Sequence, residues 1–176
     1  MLFNYEIGLK EFNPENMKIN HREAVRAVII RDNKLLMVHS NKGDYKFPGG
    51  GINSGESYEE ALKREVREET GYIINNIKAR IGTIISRNID EYEENAVFEM
   101  ISNYYLCEVS EGQTHQQLDD YEANLEFCPK WMTLGEVIHL NEEILKQDNI
   151  DKNPWVYREN LALKALSSIL NCKGNQ

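Results

Sequence analysis

The chain reads as a single α/β domain, with helices packed on a mixed sheet. Three observations point there: β-branched apolar runs broken by polar turns, amphipathic stretches opened by capping residues, and the order in which the two alternate. Residues 1–20 alternate weakly and carry a turn at Asn13-Pro14-Glu15-Asn16. They read as an N-terminal extension with at most one short strand. Ala24–Arg31 is rich in β-branched residues, Asp32-Asn33 makes a turn, and Lys34–Ser40 resumes the run. Two apolar runs around a polar turn predict a β-hairpin. A loop over 41–55 follows, holding Gly43, Pro48, Gly49, Gly50, Gly51 and Gly55.

A helix comes next. Ser57 with Glu60 three residues on is a capping box, Ala61, Leu62 and Val66 supply an apolar stripe, and Gly71 suits a helix end. Residues 77–87 and 96–109 read as strands, 111–124 as a polar loop and 125–132 as a short strand. Thr133 with Glu136 opens another helix, through about Gln147. Asn153-Pro154 starts a last one, with an apolar stripe of Trp155, Leu161, Ala165, Leu166, Ile169 and Leu170 running down to Cys172 and Gly174. The domain proper is placed over 21–150, with 151–176 as a C-terminal helix packed on it. A homodimer contact or a lid over a cleft is the other use for that helix.

Composition bounds the function. The 176 residues are enough to bury a core without disulfides or a structural metal. Cys107, Cys128 and Cys172 are odd in number and widely spaced, so they read as reduced thiols, Cys107 in the core. No apolar run reaches the roughly 20 residues of a membrane helix, and residues 1–20 lack the apolar centre of a signal peptide. A cytoplasmic protein with no membrane partner is the expectation. The net charge of −9 disfavours nucleic-acid binding through a broad basic face. An anionic substrate would need local neutralisation, which a divalent cation supplies.

The chemistry concentrates in residues 50–72. Glu65, Glu68 and Glu69 stand at i, i+3 and i+4 near a helix C-terminus, where like charges repel and the helix dipole disfavours anions. Three carboxylates on one turn suit a hard cation such as Mg²⁺ or Mn²⁺. A merely solvated face is the competing reading, since Lys63, Arg64 and Arg67 interleave and Arg64 can pair with Glu68. The preceding Phe47-Pro48-Gly49-Gly50-Gly51 brings flexible backbone toward the helix start, a feature that anion sites and plain turns share.

Gly50, Glu56, Arg64-Glu65-Val66, Glu68-Glu69 and Gly71-Tyr72, with five, seven, one and one residues between them, resemble the Nudix box. Tyr72 stands where the family more often has an aliphatic residue. Phe47-Pro48-Gly49 also looks like the family, with Tyr45 where many members have Trp. The element order over 22–147 is similar to the Nudix α/β/α sandwich with its mixed sheet.

The resemblance implies a hydrolase that cleaves a diphosphate linkage in a nucleoside triphosphate or nucleoside-diphosphate-linked small molecule, using Mg²⁺ or Mn²⁺. A non-catalytic nucleotide- or metabolite-sensing module is the alternative. Glu65, Glu68, Glu69 and the Gly49 carbonyl are the implied metal ligands. Arg64 would orient a glutamate, and Glu68 would share in catalysis. Gly50, Gly51, Glu56 and Arg26 would meet substrate. Family members often carry the general base outside the box. Glu126 is the choice here over Glu99, Glu122 and His115. Phe98, Tyr92, Tyr104 and Tyr105 could stack on a base or pack in the core, and Arg87 could reach a phosphate. The ADP-ribose-type branch has a proline about 15 residues past the box. Residues 73–95 have none, which argues against ADP-ribose.

Overall fold

A computed structural model describes residues 1–10, 17–148 and 151–173, with side chains to 168. The expected turn at 13–16, the side chains of Ile169, Leu170 and Cys172, and Gly174 lie outside the described residues. Seven strands and four helices follow in the order β1 (Phe3–Gly8), β2 (Lys18–Arg31), β3 (Lys34–His39), β4 (Tyr45–Lys46), α1 (Tyr58–Thr70), β5 (Tyr72–Ile89), β6 (Ala96–Gln113), α2 (Asp120–Asn124), β7 (Cys128–Thr133), α3 (Leu134–Lys146) and α4 (Val156–Lys173).

The strands form one sheet in the order β1-β5-β6-β2-β3-β4, with β7 also on β3. It is mixed, as expected: β1 runs parallel to β5 and β2 parallel to β6, while β5–β6, β2–β3, β3–β4 and β3–β7 are antiparallel. The hairpin turns at Asp32 and Asn33, whose φ angles of 49° and 61° are those of a type I′ turn. Residues 3–8, read from sequence as part of an extension, form β1 at the sheet edge. Strands β2, β5 and β6 all outrun their apolar cores. Partner strands hold these polar ends by backbone hydrogen bonds, which the hydrophobic pattern does not register.

Strand β2 shows why the molecule has three layers. Its side chains alternate: Val25, Ala27 and Ile29 pack with Ala61, Leu62 and Val66 of α1, and Val28 packs on the other face with Val137 of α3 and Ala162, Leu163 and Leu166 of α4. A strand covered on both faces reads as an unbroken apolar run, which is how Ala24–Arg31 reads. Arg26 interrupts that run, only 6% exposed on the α4 face, and Arg31 closes it. Cys107 lies buried on the α1 side, and burial pushes its thiol up to about 12. Tyr104 is buried between Phe3 and Phe47, Tyr105 packs beside Tyr58, and Tyr92 is almost fully exposed.

Candidate functional site

The glycine loop is stitched to β2. Val25 N–H donates to the Gly50 carbonyl (3.0 Å), Ala27 N–H to Pro48 (2.8 Å) and Ile52 N–H to Glu23 (3.0 Å). This brings the loop across the face of α1. A Cβ on Gly50 would lie 2.4 Å from Glu65 Oε2, so only glycine admits the carboxylate there. Gly49 has φ +140°, and a Cβ on it would meet the Val25 carbonyl at 2.1 Å.

Helix α1 begins at its capping box, with Ser57 and Glu60 satisfying each other's backbone N–H, and ends on left-handed Gly71. Its charged face divides in two. Glu65 and Glu69, 8% and 1% exposed, turn inward with Glu122 of α2, and the three offer carboxylate oxygens within 4.8 Å of one another. Glu69 accepts from Gly49 N–H at 2.8 Å and from Lys46 Nζ. Burial, reinforced by Glu65 and opposed by Lys46, pushes the Glu69 carboxyl up to about 7. Glu68 stays outside that cluster, bonded to Arg64. It lines a separate cavity with Lys63, Arg64 and Arg67.

Arg64 braces the arrangement. It holds Glu56 with two bonds of 2.7 Å, Glu65 at 2.6 Å, Glu68 at 3.3 Å and the Gly51 carbonyl at 3.1 Å. These bonds keep the Glu56 carboxyl down at about 2 and raise the Arg64 guanidinium further. Glu56 therefore meets Arg64 rather than the cavity, and it locks the loop to the helix.

Sequence reasoning chose Glu126 as base over Glu122, but it is Glu122 that the fold brings to the carboxylate cluster. Glu126 is exposed, at φ 52°, between the buried Leu125 and Phe127 that hold the segment to the core. The region read as a plain polar loop contains α2, opened by the Asp119–Glu122 capping box. The loop ahead of it is anchored on the last carbonyls of α1: Thr114 N–H donates to Gly71, Gln117 N–H to Glu68 and Gln116 Nε2 to Glu69. That anchoring delivers Glu122 to Glu65 and Glu69. Burial raises the Glu122 carboxyl, and the charges of Asp119 and Glu65 add to the shift. Glu99 instead pairs with Arg87 and His21, and His115 is exposed.

Glu65, Glu69, Glu122, Gly49, Gly50, Gly51 and Arg26 line one cavity of about 300 Å³. The sequence reading missed its other wall: Arg22, Lys46, Tyr121, Phe127, Trp155 and Arg158. A second cavity of about 320 Å³ adjoins it through Arg26, Met100, Trp155 and Arg158. Phe98, one of the aromatic candidates, lines that second cavity. The donor set fits a hard divalent cation: three clustered carboxylates with no sulfur or imidazole among them, while the Gly49 carbonyl, an expected ligand, accepts from Arg26 Nη1.

The NUDIX domain family model matches residues 20–155. An ADP-ribose pyrophosphatase of Methanocaldococcus jannaschii is 39% identical over 104 residues, spanning 57% of this chain and 58% of that protein. An RNA pyrophosphohydrolase of Campylobacter jejuni is 29% identical over 124 residues, 61% of this chain and 79% of that one. A Nudix hydrolase structure from Nitrosomonas europaea superposes with a TM-score of 0.55 at 19% identity, covering 84% of this chain and 90% of that one. No helix among the described residues is long and apolar enough to cross a membrane. With the family model covering most of its length and the sandwich fold in place, the chain belongs to the Nudix hydrolase family.

Proposed function

We propose that the protein hydrolyses a P–O–P linkage in a nucleoside-diphosphate-linked small molecule, with Mg²⁺ or Mn²⁺ bound by Glu65, Glu69 and Glu122. The observation that carries this is the convergence of those carboxylates, within 4.8 Å, on a cavity whose far wall is cationic and aromatic. A bound divalent ion supplies charge neutralisation on the phosphate oxygens and acidifies water. The protein's own groups do the rest. Arg64 fixes the rotamer of Glu65. Glu122 gives one carboxylate oxygen to the cluster and takes the proton of the attacking water on the other. Lys46 and Arg22 face the phosphates, and Trp155 and Tyr121 offer flat surfaces to a base.

Two adjoining cavities favour a substrate with a moiety on each side of its diphosphate over a nucleoside triphosphate. ADP-ribose belongs in that class, and the Methanocaldococcus relative bears its name, although residues 73–95 lack the proline of that branch. The net charge of −9 disfavours a long polyanion such as RNA. The test is a panel of linked nucleoside diphosphates, triphosphates and 5′-triphosphorylated RNA, with Mg²⁺ or Mn²⁺. Metal-dependent release of a nucleoside monophosphate from linked diphosphates is expected. Tight binding without turnover across the panel would favour a sensing module instead.

A further inference from the structure

Helix α4 begins just beyond the last residue of the family match, and its first turn forms part of the cavity wall. Arg158 and Glu159 there are 7% and 0% exposed. Arg158 donates to Glu159 Oε1 through Nε (3.0 Å) and Nη2 (2.7 Å), and Phe47 N–H donates to Oε2 (3.1 Å). Arg26 approaches the same carboxylate, its Nε 3.7 Å from Oε1, yet that Nε finds no hydrogen-bond acceptor. Two buried guanidinium groups thus share one carboxylate. Glu69, paired with Lys46, also attracts the Arg26 guanidinium, but less than Glu159 does.

A surplus positive charge in a buried place is costly. Burial and the charge of Arg158 both lower the Arg26 guanidinium. Arg158 also stands in the first turn of a helix, where the dipole disfavours a cation. Arg26 Nη1 donates to the Gly49 carbonyl and so ties the glycine loop to β2, but its Nε stays without an acceptor. An incoming anion would satisfy it, and both arginines line both cavities at their junction. Guanidinium groups suit the planar spread of phosphate oxygens.

We propose that Arg26 and Arg158, set around Glu159, form an anion site at the junction of the two cavities that takes a phosphoryl group of the substrate, the moiety beyond it lying in the second cavity. This rests on the hydrolase reading for its substrate, but the site itself needs no metal.

The test uses thermal melts of the full chain in EDTA with orthophosphate, inorganic pyrophosphate or a nucleoside diphosphate. Saturable stabilisation is expected, with the nucleoside diphosphate at least about tenfold tighter than orthophosphate. In Arg158→Met, Arg26 alone balances Glu159, so the variant is expected to fold and melt near the parent temperature. It should lose about tenfold or more in diphosphate affinity, while Glu65→Gln keeps it. Arg158→Lys, which keeps charge and loses the fork, should fall between. In turnover, Arg158→Met should raise KM by about tenfold with kcat little changed.

Unchanged diphosphate affinity in Arg158→Met, or a variant that cannot fold, overturns the site. Orthophosphate binding as tightly as the nucleoside diphosphate overturns its assignment to substrate in favour of free phosphate. If the substrate panel shows no turnover while metal-free anion binding persists and needs Arg158, the hydrolase reading fails and the anion site stands.

Discussion

The two walls of the main cavity were built in different ways. The acidic wall comes mostly from α1 and the glycine loop, within residues 49–69, with Glu122 added from α2. The cationic and aromatic wall gathers Arg22 and Arg26 of β2, Lys46 of β4, Tyr121 of α2, and Trp155 and Arg158 at α4. The first is a matter of helical spacing, since i and i+4 always share a face. The second exists only once α4 has packed over β2. The acidic wall is thus suited to a task common to the fold, holding a cation, and the cationic wall to choosing what that cation acts on.

The largest effects should come from the acidic wall. Glu69→Gln should lower turnover by about 10²-fold or more, because a ligand is lost. Equal rates in variant and parent would separate the carboxylate cluster from catalysis. Since Lys46 loses its partner in that variant, Glu65→Gln serves as the companion. Next, Glu122→Gln should cost at least about tenfold in kcat and Glu126→Gln almost nothing. The reverse order would return the proton-accepting role to the exposed residue and break the link between α2 and the cluster.

A pH series sharpens the same contrast. The Glu69 carboxyl sits at about 7 in the folded protein against 4.5 for a free side chain. The folded state therefore binds the extra proton between those values, so this group's contribution to metal-free stability falls as pH rises through that window. Cation binding needs the carboxylate, so Mn²⁺ should bind about tenfold more weakly near pH 6 than near pH 8. A melting shift with Mn²⁺ that ignores pH over this range would place the ion elsewhere. The smallest effect belongs to the scaffold. Ser57→Ala removes the capping box of α1, which should cost about 1 kcal/mol and about 2–4 °C in Tm with kcat retained.

Much of this was legible in the sequence because the signals are local. The capping boxes at Ser57 and Thr133 opened helices where expected, and Asp32-Asn33 turned the hairpin. The three-layer arrangement was implied by the resemblance over 22–147, and the packing on both faces of β2 agrees with it. Glu122 was weighed and set aside because its position depends on residues 114–117 bonding to the end of α1, a contact that no periodicity announces. Glu68 shared the spacing of its neighbours yet stands at the edge of the inward-facing stripe, about 100° around the helix from Glu69 and bonded to Arg64. Nothing in the sequence sets Arg158 and Glu159 apart from exposed charges at a helix start. Only the packing of α4 reveals them as buried, because burial is a property of the neighbours.

The roles proposed for this cavity all depend on Glu65, Glu69 and Glu122 holding a divalent cation. A Mn²⁺ titration followed by electron paramagnetic resonance near pH 8 tests it most directly. The account predicts a saturable site in the parent and in Glu126→Gln, weakened about tenfold or more in Glu65→Gln, Glu69→Gln and Glu122→Gln. Undiminished Mn²⁺ affinity in all three of those variants would contradict it.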